Sequence, residues 1–149
     1  HDGAAVVRLI GDMGAGKTTF VRAFAEGLGV DHPQRVSSPT YTLLMLHEGP
    51  VPLVHLDLYR LSDRDLGPAS AAALESLGIE HGELTAPGRV LAVEWAEFWA
   101  DAPADAITVT IRPRALGQAE AGAYDDARLR ELDIELGPVW SARFSQLGL

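Results

Sequence analysis

Gly11-Asp12-Met13-Gly14-Ala15-Gly16-Lys17-Thr18 fits the spacing G-x-x-x-x-G-K-[ST] without deviation. That spacing constrains the fold, because it works only as the turn between a buried strand and a helix. Both flanks agree. Ala4 to Ile10 is a nearly continuous apolar run, the pattern of a strand buried on both faces. From Thr18 the period changes, with Val21, Phe24, Ala25 and Leu28 at helical spacing and Gly29 as the stop. Glycines let backbone N–H groups turn inward around an anion with no Cβ in the way. The helix then points its positive end at the same spot. Lys17 has the reach for β- and γ-phosphates, and the Thr18 hydroxyl suits Mg²⁺. Thr19, in the first helical turn, is within reach of an α-phosphate.

Twelve residues are basic, and Lys17 is the only lysine among them. Arginine and lysine differ in shape and point-charge character, so the exception asks for a chemical reason, and the phosphate loop supplies one. The same count bears on the base. Guanine readers of the small-GTPase type use an N-K-x-D loop, which needs a second lysine. ATP is therefore the default by exclusion.

Composition excludes several classes. There is no cysteine, hence no disulfide scaffold, thiolate zinc site or cysteine nucleophile. No apolar run has the length needed to span a bilayer, so no membrane association is expected. The formal charge is −9, and an acidic surface argues against direct binding of RNA or DNA. Residues 41–110 carry three basic and eleven acidic side chains, a net of −8. That middle third suits a cation or a basic protein partner better than a polyanion, although most of those carboxylates read as solvated surface.

At 149 residues the chain has the size of one domain. Thr42–Leu46 and Val51–Leu58 flank Glu48-Gly49-Pro50 and read as a β-hairpin. Pro52 puts the start of the second arm at a sheet edge. Ser70–Leu77 reads as a helix stopped by Gly78, Pro87-Gly88 as a turn, and Val90–Val93 as a buried strand ending at Glu94. Ile107, Val109 and Ile111 alternate, as do Leu132, Ile134 and Leu136, which predicts two half-buried strands in an antiparallel pair. The stretch 113–128 between them reads as a mobile loop, and Gly137-Pro138 opens a short helical tail. The expected architecture is a three-layer α/β P-loop NTPase fold with a mixed, partly parallel sheet and an antiparallel hairpin.

A phosphate loop needs a metal-organising acid, usually at a strand end. Asp57 ends Leu53-Val54-His55-Leu56, and Glu94 ends Val90-Leu91-Ala92-Val93. Asp57 suits metal coordination, and Glu94 suits orienting or deprotonating the attacking water. Thr40, in Ser37-Ser38-Pro39-Thr40-Tyr41, has the setting of a threonine that senses a γ-phosphate through Mg²⁺, although turn chemistry explains the segment equally well. Arg60 and Arg64 can stabilise transferring charge or pair with Asp63 and Asp65 at the surface. His55 reads as a core histidine, and Trp95 and Trp99 as core or groove aromatics.

Five blocks in order now carry a resemblance. They are Gly11 to Thr19, Ser38-Pro39-Thr40-Tyr41, His55-Leu56-Asp57-Leu58-Tyr59-Arg60, Leu74-Glu75-Ser76-Leu77-Gly78-Ile79 and Val93-Glu94-Trp95-Ala96-Glu97. Over about residues 4–112 the chain closely resembles the TsaE (YjeE) family, bacterial P-loop ATPases of tRNA threonylcarbamoyladenosine biosynthesis. The resemblance implies a cytoplasmic ATPase of low intrinsic activity that uses ATP and Mg²⁺. It implies a partner complex of TsaD and TsaB. TsaD transfers the threonylcarbamoyl group to the tRNA adenosine beside the anticodon, and ATP hydrolysis supports turnover of that complex. Contact with tRNA is then only indirect, in keeping with the acidic balance.

The resemblance also implies roles for residues. Lys17 and Thr18 are at phosphate and Mg²⁺, Thr40 is the switch-like threonine, Asp57 is at the metal, and Glu94 with Trp95 forms a second acidic motif near the nucleotide. Which carboxylate ligates the metal stays open between Asp57 and Glu94. Two departures stand out. Members usually begin with a further strand and helix before the P-loop strand, absent from this single domain of residues 1–149, and 113–128 is longer than usual. Two other readings compete with the ATPase subunit. One is a small-molecule P-loop kinase with Arg60 and Arg64 as lid residues, and the other is a binding switch whose hydrolysis is incidental.

Overall fold

The computed structural model describes residues 4–62, 69–114 and 129–148. Its strands are β1 (Ala5–Ile10), β2 (Leu44–His47), β3 (Leu53–Asp57), β4 (Val90–Glu94), β5 (Ile107–Pro113) and β6 (Arg130–Leu136). Its helices are α1 (Lys17–Gly27), α2 (Ala71–Ser76), α3 (His81–Leu84) and α4 (Pro138–Gln146). The strands form one sheet in the order β2-β3-β4-β1-β5-β6. β1 runs parallel to β4 and β5, and β3 runs parallel to β4. β2 and β6 are antiparallel edges. This is the mixed, partly parallel sheet with an antiparallel hairpin that the sequence predicts.

Two apolar clusters, one on each face, make the domain three-layered. On one face Val21 and Ala25 of α1 pack on Val7, Leu9, Ala92 and Val109. Leu9 and Val21 are fully buried, and each such side chain contributes about 1.5–3 kcal/mol by leaving water. On the other face Leu74, Leu84, Leu61 and Trp99 cover Val6, Val54, Leu56, Leu91 and Val93. Of the two runs read as buried strands, Val90–Val93 lies in β4, where every residue is buried, and Ala4–Ile10 spans β1, where Val6, Val7 and Leu9 are buried and the rest half-buried; β3, read as a hairpin arm, is buried throughout. Ser70 caps α2 by accepting from the Ala73 N–H, and Gly78 follows in the left-handed region at φ 78°.

Two expectations fail. Pro52 does not mark an edge, because β3 lies inside the sheet between β2 and β4. Pro52 sits just outside the strand, so its missing N–H interrupts no ladder bond, and its carbonyl accepts from Val90 N at 2.9 Å. The half-buried reading holds for β5, where Val109 and Ile111 are buried, and fails for β6, where Leu132 is 45% and Ile134 54% exposed. They pair with Ile111 and Val109 on the α1 face of the sheet but lie at its edge, past the strip that α1 covers. The loop read over 113–128 falls largely on residues outside those described, as do Asp63, Arg64 and Asp65. Among the described residues no helix is long and apolar enough to cross a membrane.

Candidate active site

The carboxyl ends of β1, β3 and β4 lie side by side on the α1 face, and the site is built there. Register sets Asp57 directly opposite Glu94, and Leu9 of β1 opposite Glu94 on its other side. Asp57 and Glu94, 37 residues apart in sequence, thus meet at one rung just below the loop that leaves β1. Gly11 to Gly16 then turn into α1. A Cβ at Gly11 would stand 2.5 Å from the Ile111 carbonyl oxygen, so only glycine lets the chain pass over the end of β5. Gly16 precedes the helix at φ 108°, and no side chain caps α1 and no acid sits in its first turn. The positive end of α1 is left to whatever occupies the loop.

Lys17 is 5% exposed. Its ammonium donates to the carbonyls of Gly11 and Asp12, the latter at 2.9 Å, and lies 3.7 Å over the Trp95 ring. Burial pushes its pKa below the ordinary lysine value, and the charges of Glu94, Glu97, Asp57 and Asp12 oppose that shift. Trp95 reaches this place from a left-handed backbone (φ 59°) immediately after β4, with Tyr59 and Phe98 packed on it.

The two carboxylates have different partners. Thr18 Oγ1 donates to Glu94 at 2.8 Å to Oε1 and 3.0 Å to Oε2. The second oxygen of Asp57 accepts from Thr40 at 2.6 Å and from Ser38, and its first accepts from the Tyr59 N–H at 2.9 Å. Glu94 is therefore tied to α1, and Asp57 to the Ser38–Thr40 segment. Arg22 of α1 holds the start of that segment by donating from Nε and Nη2 to the Val36 carbonyl at 3.1 and 2.9 Å.

A cleft of about 340 Å³ opens between Gly14, Gly16, Lys17 and Thr18 on one side and Ser38, Thr40, Tyr59, Glu94 and Trp95 on the other. Met13, 70% exposed, stands at its mouth. A second groove of about 440 Å³ starts from the same loop at Gly14, Gly16 and Thr19 and runs over Phe20, Ile111, Arg130 and Leu132. Ala15, buried beneath the loop, accepts from Arg130 Nε at 2.8 Å through its carbonyl.

Every candidate residue that is described gathers at this loop except Arg60, which donates from Nη1 to the Tyr41 carbonyl at 3.0 Å on the exposed rim. Sequence reading missed Ser38, Arg22 and above all His55. The last is a core histidine as read, but its Nε2 lies 2.8 Å from Glu94 Oε1. Its position two residues before Asp57, on the same face of the strand, is the signal that could have found it.

The family model described as "Threonylcarbamoyl adenosine biosynthesis protein TsaE" matches residues 1–120. The chain belongs to the TsaE family. It is similar to the tRNA threonylcarbamoyladenosine biosynthesis protein TsaE of Bacillus subtilis, 41% identical over 97 residues that make up 62% of this chain and 51% of that protein. The TsaE of Aquifex aeolicus is 42% identical over 106 residues, 70% of this chain and 66% of that protein. The TsaE of Treponema pallidum is 36% identical over 116 residues, 77% of this chain and 78% of that protein. The chain thus spans from about half to about three quarters of the length of these relatives. Among solved structures, the crystal structure of Bacillus subtilis YdiB matches 99% of this chain and 79% of its own, with a TM-score of 0.59 and 28% identity.

Proposed function

We propose that this chain binds ATP with Mg²⁺ at the Gly11–Thr18 loop and hydrolyses it, as the ATPase subunit that serves threonylcarbamoyl modification of tRNA through TsaD- and TsaB-type proteins. One observation carries the reading: the ammonium of the only lysine is buried under a glycine loop at an uncapped helix N-terminus, beside a hydroxyl already bonded to a carboxylate. Family membership supports the pathway.

The donor set fits Mg²⁺. The cation takes hard oxygen ligands, usually one or two carboxylates together with substrate phosphates and waters. Thr18 Oγ1 and Glu94 are such donors, and among the described residues no three ligating side chains cluster to form a site without phosphate. What Mg²⁺ supplies when bound is neutralisation of charge on the β- and γ-phosphoryl oxygens. The Thr18 lone pairs would face the cation while its hydroxyl goes on donating to Glu94. The Lys17 ammonium leaves the Gly11 and Asp12 carbonyls for the phosphates, a charge-assisted exchange. The nucleoside end extends from Thr19 along the groove over Phe20, Ile111 and Leu132. Glu94 lines the cleft and keeps acceptor capacity for the attacking water, and Asp57 holds Thr40 above it.

The test is twofold. Lys17→Ala is expected to abolish ATP binding measured by calorimetry, and undiminished affinity in that variant would overturn the nucleotide reading. Purified TsaD–TsaB is expected to capture the chain in a manner that differs between ATP, ADP and no nucleotide. No capture in any state, with stoichiometric phosphorylation of an added metabolite, would establish the small-molecule kinase instead.

A further inference from the structure

His55 is a buried polar side chain whose one hydrogen bond reaches the site. It is 0% exposed in the middle of β3, opposite Ala92 of β4 and one rung below the Asp57–Glu94 pair. Ala92 matters here: a methyl group at that rung leaves space for an imidazole to lean up to the carboxylate. Nε2 lies 2.8 Å from Glu94 Oε1, and Nδ1 is buried and meets no partner among the described residues. A carboxylate only accepts, so Nε2 carries the proton and donates, and in the neutral ring Nδ1 would keep its lone pair. The His47 ring lies 6.1 Å away between centroids. Glu94 Oε1 thus accepts two hydrogen bonds, one from His55 and one from Thr18.

An unmet ring nitrogen in an apolar strand interior costs stability, and a leucine there would not carry that cost. The bond to Glu94 is what the imidazole supplies in exchange. His55 is not among the groups lining the cleft, so it acts through Glu94. We propose that His55 is a positioning residue: its Nε2–H locks the Glu94 carboxylate towards Thr18 and so sets how well the site accepts the divalent cation that arrives with the nucleotide. This rests on the nucleotide reading above. It adds an outer-shell partner of the kind whose loss lowers metal affinity at other sites.

Two substitutions test it. In His55→Gln the side-chain amide can present an N–H near the place of Nε2, and in His55→Leu nothing can. Binding of a non-hydrolysable ATP analogue is titrated with Mg²⁺ in both, and analogue affinity is measured in EDTA. His55→Leu is expected to raise the Mg²⁺ needed for half-saturation by about tenfold or more, with metal-free affinity unchanged, and Gln to recover most of the loss. A parental Mg²⁺ dependence in His55→Leu, or a Gln variant no better than Leu, would overturn the proposal. Should the Leu variant fail to fold, ¹⁵N spectra of the unsubstituted chain decide the bond. A proton on Nε2 is expected for His55, and a proton on Nδ1 in its place would refute the arrangement. An unsubstituted chain that binds no analogue marks failure of the nucleotide reading, a separate result, and the ring-nitrogen spectra still decide the His55–Glu94 bond.

Discussion

Asp57 holds the Ser38–Thr40 segment to the sheet, and the strength of that hold can be worked out. The carboxylate is 1% exposed and accepts three hydrogen bonds, from Ser38, from Thr40 at 2.6 Å and from the Tyr59 N–H at 2.9 Å. Bonds to a charged partner contribute about 1.5–3 kcal/mol each. The full sum is not lost on truncation, because Ser38 is exposed and its hydroxyl turns to water once released. The Thr40 hydroxyl is half-buried and the Tyr59 N–H is left at the site, so Asp57→Ala is expected to cost about 2–4 kcal/mol. Asp57→Asn keeps an oxygen for the Tyr59 N–H and is expected to cost about half as much. The assay is urea denaturation with hydrogen exchange of the amides of residues 37–42, in the absence of nucleotide. In both variants exchange there should accelerate before the sheet amides change. Mg²⁺-dependent hydrolysis should fall by orders of magnitude in Asp57→Ala. A loss of stability under about 0.5 kcal/mol with unchanged exchange would refute the view that this carboxylate organises the segment.

The groove over Phe20, Ile111 and Leu132 is expected to hold the nucleoside and not the phosphates, so Leu132→Asp should weaken ATP binding by about tenfold or more while leaving inorganic triphosphate affinity unchanged; equal loss for both ligands would contradict it. His47 is buried on β2, and burial, with a smaller effect of the neighbouring His55, lowers its pKa from the ordinary 6.5. The unfolded chain therefore takes up this proton before the folded one does. The stabilising effect is fully present above 6.5 and lost as pH falls from there towards the lowered folded value, at a slope of at most about 1.4 kcal/mol per pH unit. His47→Phe should flatten that part of the denaturation-versus-pH curve, and an unaltered slope would remove His47 as its source.

Much of this site was legible because its parts are local. The strand, turn and helix around Gly11 to Thr18 follow one another directly between Ala5 and Gly27, and the acids that end two apolar strands follow from pattern alone. The pairing of Asp57 with Glu94 was not legible, since it depends on β3 and β4 lying next to each other in one register. For the same reason His55 looked like core and Glu94 looked like a water-handling acid without a hold on Thr18. Pro52 misled because a proline one residue outside a strand obeys none of the rules for a proline inside it. Leu132 and Ile134 misled because alternation reports which side chains share a face, and whether another layer covers that face is a matter of where the helices stop.

Among the described residues β6 ends the sheet with an open ladder, and its other face carries Glu131, Asp133 and Glu135, all exposed. Two copies meeting antiparallel along that border, aligned to join their greasy sides, would bring acid against acid at alternate rungs. The border therefore guards itself: its bare leucine and isoleucine can accept a cover laid on top, while fibril-like growth strand upon strand is repelled.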